Sequence, residues 1–162
     1  MTGTTPAQTQ RYVEQSPAVD TNAYASGDLI GSAVIEFEGA VPGDGANSQT
    51  IGGLIQSVII TDLAKQSANI DVVFFDANPS NTTFTDNAAF DPADADLPNV
   101  IGVVSVTDWK AFNDSSMGQA LQVALPFVLD SGNTLYAALV SRGAPTYGAS
   151  DITVRVGILA TP

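Results

Sequence analysis

The segment DITVRVGIL at 151–159 sets Ile152, Val154, Val156 and Ile158 on one side of an extended chain. It sets Asp151, Thr153 and Arg155 on the other. Strand side chains alternate between faces, so this pattern describes a strand with one face on a core and one in water. DLIGSAVIEFE repeats the alternation: Leu29, Ala33, Ile35 and Phe37 share one face, Glu36 and Glu38 the other. Met117, Leu121, Val123 and Leu125 form a third stripe. SVIIT (57–61), VVFF (72–75), VIGVVSV (100–106) and LYAALV (135–140) are instead apolar on both faces. Strands of that kind are covered twice. No amphipathic helical pattern exceeds about two turns.

Turn residues punctuate these segments: Pro42-Gly43-Asp44-Gly45, Asn78-Pro79-Ser80, Asp130-Ser131-Gly132-Asn133 and Arg142-Gly143-Ala144-Pro145. The expected strands lie near 28–38, 50–61, 69–76, 100–107, 117–125, 133–141 and 151–159. The fold class is therefore all-β: a two-layer antiparallel sandwich of about eight strands, of which a jelly roll is the commonest version. The 162 residues fit one domain.

Residues 28–162 carry the sandwich pattern. Residues 1–27 are mostly Thr, Gln, Ala, Ser and Pro, and are expected to form an extended N-terminal arm that orders only on a neighbour. Arg11, Tyr12, Val13 and Tyr24 are its candidate partner-binding residues. Deletion of residues 1–24 is expected to leave the sandwich folded. The stretch 77–99 is too long for a simple connection and contains Phe84 and Phe90. These two are expected to cover Phe75 on the second face of its strand, and are also candidate contact residues. Asp86 is expected to cap a short turn within that stretch.

Composition narrows the function. There is no cysteine, so no disulfide framework, and no histidine, the commonest general base near neutral pH and the commonest metal ligand. The formal charge is −12, from 17 acidic and 5 basic residues. A surface this acidic repels nucleic acid and anionic lipid, so neither is an expected partner. No apolar run is long enough to span a membrane and no signal peptide is recognisable, which points to the cytoplasm.

Motifs for chemistry are missing: there is no G-x-S-x-G elbow and no phosphate loop followed by Lys and Ser/Thr. Asp91, Asp94 and Asp96 form the sharpest acidic cluster and bear on calcium, but their spacing departs from an EF-hand loop. Solvated carboxylates at a turn explain them more simply. Trp109, Tyr136 and Tyr147 are candidates for a sugar-stacking platform or, more simply, core aromatics. The expectation is a non-enzymatic protein without cofactors.

The succession IQSV (55–58), FFDANPSNTTFTDNAAFDPADADL (74–97), IGVVSV (101–106), TLYAALVSRGAPTY (134–147) and SDITVRVGIL (150–159) resembles the head decoration, or cement, proteins of tailed bacteriophages. These are small jelly-roll proteins encoded beside the major capsid protein. The resemblance spans roughly residues 50–160. It implies a structural role on the outer surface of the virion capsid after assembly in the host cytoplasm. The implied partners are the major capsid protein, whose neighbouring subunits are clamped together, and further copies of the chain as a homotrimer. The competing expectation from the residues is a carbohydrate- or receptor-binding sandwich on a virion.

Overall fold

The structure is a computed structural model describing residues 9–42 and 51–160. Most of the turn expected at 42–45 and the first eight residues of the expected arm lie outside the described residues. Nine strands follow one another: β1 (Thr9–Gln15), β2 (Leu29–Phe37), β3 (Ile51–Asp62), β4 (Ile70–Phe75), β5 (Val100–Val106), β6 (Asp108–Ala111), β7 (Ser116–Leu129), β8 (Leu135–Ser141) and β9 (Ile152–Ala160). The one helical turn among the described residues is a 3₁₀ turn at Leu97–Asn99.

The strands form two antiparallel sheets, ordered β1-β9-β3-β7-β6 and β2-β8-β4-β5. All pairings are antiparallel, and β1 pairs with β9, β2 with β8, β3 with β7 and β4 with β5. These four pairings are those of one long hairpin folded over on itself, with β6 as a short addition, which is the winding of a jelly roll. The sequence expectation of an all-β two-layer sandwich therefore holds.

The main core lies between the sheets, where β9 contributes Ile152, Val154, Val156 and Ile158, all fully buried. β2 departs from its sequence pattern. Ile30 and Ile35 both enter the core although they are five residues apart, because a bulge separates them. Gly31 begins the bulge at φ 105°, a conformation that side chains disfavour. As a result Leu29 faces the outer side of the sheet and Ala33 is exposed, so the single stripe drawn through Leu29, Ala33, Ile35 and Phe37 is corrected.

A second apolar cluster lies on the outer face of the four-stranded sheet. Leu29, Val73, Phe75, Ala138 and Val140 are buried there, with Phe84, Phe90, Val100 and Tyr136 packed against them. The 77–99 stretch thus covers Phe75 as expected. It is held by its backbone: the Leu29 N–H donates to Ala88, the Asn87 N–H to Leu29 and the Phe90 N–H to Gly27. The Asp86 carboxylate accepts from the Tyr24 hydroxyl at 2.7 Å and the Gly31 N–H at 2.9 Å, and so joins two segments instead of capping a turn.

The N-terminal assignment changes most. Thr9–Gln15 is an edge strand paired along its length with β9, and Val19 and Tyr24 belong to the main core. Residues 9–27 are part of the sandwich and order on their own chain. The expected arm is corrected for residues 9–27, which pack with the sandwich and not on a neighbour alone. Backbone pairing with β9 supplies what composition alone could not signal: a polar segment needs few apolar side chains when a neighbouring strand satisfies its amides.

Candidate interaction surface

Of the six candidate contact residues, five are engaged within the chain. The Arg11 guanidinium donates to the carbonyls of Gly39 and Val41. Val13 packs on the core, and Tyr24 is 2% exposed. The rings of Phe84 and Phe90 lie 5.9 Å apart over the Phe75 cluster. Tyr12 alone is open, at 68% exposure.

Tyr12 stands on the outer face of the five-stranded sheet. The registers align it with Gly157, Ser57 and Leu121 in one row across β1, β9, β3 and β7. A side chain at Gly157 would collide with the Ser57 hydroxyl and touch the Tyr12 ring, so glycine lets the row close up. The next row is Gln10, Leu159, Leu54 and Pro126. On the other side run Glu14, Arg155, Ile59, Gln119 and Asp108. Leu121 and Val128 are also more than half exposed on this face.

Its charges cancel. Glu14 pairs with Arg155 at 2.6 Å and Asp108 with Lys110 at 2.5 Å. Hydrogen bonds from Lys110 and Gln119 hold the Asp108 carboxyl below its ordinary range. Such exposed pairs contribute little stability. Their consequence is local neutrality: two acids and two bases on one face of a chain whose net charge is −12. The sequence hid this, because the four residues are spread over three strands.

The other candidates are not assembled into a site. Asp91 and Asp94 are exposed, whereas Asp96 is buried. The Asp96 carboxylate accepts from the Asn81 N–H at 3.0 Å, the Asn81 amide at 2.9 Å and the Thr82 hydroxyl at 2.7 Å. Burial alone would raise its pKa, but these hydrogen bonds outweigh burial and hold it below the usual value. Among the described residues no group of three or more acidic side chains is arranged to hold a metal.

Trp109, Tyr136 and Tyr147 form no common platform. The Trp109 ring lies over Gly118, Tyr136 packs with the Phe75 cluster, and Tyr147 is 2% exposed against Tyr24. A groove of about 310 Å³ runs between Gln15–Ala18 and the bulged half of β2, with Glu36 and Glu38 on its lining.

No family model matches the chain, and no curated protein is significantly similar to it. The outer face of the five-stranded sheet combines exposed Tyr12, Leu121 and Val128 with paired charges. Interfaces favour aromatic and apolar centres with few uncompensated charges.

Proposed function

We propose that this protein is a non-enzymatic structural protein that decorates a bacteriophage capsid from outside and stabilises it. In this reading it binds across major capsid protein subunits through the outer face of its five-stranded sheet. The observation that carries the reading is that face: charge-balanced, and bearing Tyr12, Leu121 and Val128 in the open on a strongly acidic molecule. The jelly-roll winding and the resemblance of residues 50–160 to capsid decoration proteins support it. The outer face of the four-stranded sheet is instead partly covered by the 77–99 stretch, and exposes Glu36 and Glu38 beside it. The scattered positions of Trp109, Tyr136 and Tyr147 weigh against a carbohydrate-binding module.

The test is to mix the protein with undecorated capsids and measure bound copies against concentration. Saturable binding is expected, with Leu121→Asp weakening it. Binding that never saturates, or that is unaffected by Leu121→Asp, rejects this assignment of the face.

A further inference from the structure

An edge strand offers an unpaired row of N–H and C=O groups, and proteins ordinarily blunt such edges with bulges, prolines, charges or covering loops. Four of the edges here are blunted. β2 is bulged between Ile30 and Ile35 and is met by the 77–99 stretch at Asp28. β5 carries an extra residue at Ile101. β6 is four residues long and bears Lys110. Beyond β6, β7 is open from Ala120 onward, but Gln122 and Ala124 have φ of 61° and 53°, and Pro126 has no N–H.

Among the described residues, β1 has none of these features. It is seven residues long, without proline or register shift, and stands at the end of its sheet with β9 on one side. Its side-chain charges are occupied elsewhere: Arg11 binds the Gly39 and Val41 carbonyls, and Glu14 is paired with Arg155.

We propose that β1 pairs antiparallel with β1 of a second copy of this chain, about a two-fold axis through Tyr12. The axis stands perpendicular to the sheet, so the outer face of one copy continues as the outer face of the other. Such an axis requires paired residues to share a face, and only the register centred on Tyr12 engages the whole strand. In that register Thr9 meets Gln15 of the partner subunit, Gln10 meets its Glu14, Arg11 meets its Val13, and the two Tyr12 rings lie side by side.

Charge is compatible with a second copy as the occupant. A chain of net charge −12 is repelled by its own copies, and a pairing that opposed like charges would add to that repulsion. Around Tyr12 no residue of TQRYVEQ meets its like charge: Glu14 faces Gln10 and Arg11 faces Val13. The approach is made beside the neutral sheet face. Two five-stranded sheets would become one of ten strands, and the most exposed tyrosine would lie at its centre. The resemblance implies a trimer, whereas this edge forms a two-fold pair. The contact does not depend on capsid binding.

The full chain at micromolar concentration should have twice the 16.7 kDa mass by light scattering; a monomer or a trimer overturns the proposal. Because the chain lacks cysteine, Tyr12→Cys introduces a single thiol. Opposed Cβ atoms in a strand pair lie about 4.5–5.5 Å apart, within reach of a disulfide after small adjustment. Mild oxidation should therefore link Tyr12→Cys copies and leave Ala111→Cys, on the far edge, unlinked. Equal linking of both overturns the proposal.

Charge provides the independent arm. Gln10→Glu should weaken the pair, and Gln10→Lys tighten it, each by about 2- to 30-fold through two symmetric contacts with Glu14. Equal dissociation constants for the two variants overturn it as well. Circular dichroism of each variant separates these outcomes from misfolding.

Discussion

The Tyr24 hydroxyl donates to the Asp86 carboxylate at 2.7 Å across 62 residues of sequence. Asp86 in turn accepts the Gly31 N–H, which lies in the bulge that redirects β2. One carboxylate thereby fixes the chain entering β2, the bulge itself and the long covering stretch. Burial first, and then the hydrogen bond to Asp86, push the Tyr24 phenol well above its ordinary pKa, so it stays protonated as a donor. Tyr24→Phe should cost about 1.5–3 kcal/mol, as expected for a hydrogen bond to a charged group. Urea unfolding of the two proteins measures it, and an unchanged midpoint would show that Asp86 finds another donor.

Deletion of residues 1–24 should abolish cooperative thermal unfolding or lower Tm sharply. It removes all of β1 together with Val19 and Tyr24 from the core. Differential scanning calorimetry gives the answer directly; retention of the full-length transition would make β1 an adornment of the sheet edge.

Phe75→Ala should destabilise the fold by about 3–5 kcal/mol, the range for a fully buried phenylalanine. Phe75 is completely buried and anchors the cluster beneath Phe84 and Phe90. Loss of that cluster should also raise proteolytic cleavage within 77–99. A cost under about 1 kcal/mol would mean the stretch is held by its backbone bonds alone.

Gly118→Ala should cost about 1–3 kcal/mol through overpacking. A Cβ at this position would lie 2.8 Å from the Trp109 ring and from Val106. Tryptophan fluorescence should shift as the ring is displaced. Unaltered emission and stability would indicate that β6 moves aside without strain.

Asp96 gives a pH dependence of known sign. Its folded-state pKa is depressed below the ordinary 3.8, so its contribution is fully present above that value. The contribution is lost as pH falls through the lower, folded-state pKa. Asp96→Asn should therefore be less stable than the parent at neutral pH, with the difference shrinking in strong acid. Denaturation midpoints across this range test it; a gap that stays constant would assign the effect to shape alone.

Most of the sandwich was legible in the sequence because alternation records burial residue by residue. β9 is the clearest case, with Ile152 to Ile158 inward and Thr153 and Arg155 outward. β4 was legible for a different reason: Val73 and Phe75 required a second cover, and Phe84 and Phe90 were the nearest aromatics to supply it. β1 was missed because its place depends on amide pairing with β9, a contact about 145 residues away in sequence that leaves little trace in its own composition. The bulge in β2 was missed because parity counted along LIGSAVIEF assumes an unbroken pleat, and Gly31 breaks it. The proposed interaction face was hidden because it is a row across strands, and rows follow from register.

The kinked far edge, with Gln122 and Ala124 in left-handed conformations and Pro126 beyond them, limits how the molecule can multiply. Sheet growth through both edges gives an open polymer with no defined length. A sheet receptive at one end only can form a closed, countable unit and then stops. In a protein with so much β-structure, that asymmetry separates finite assembly from fibre formation.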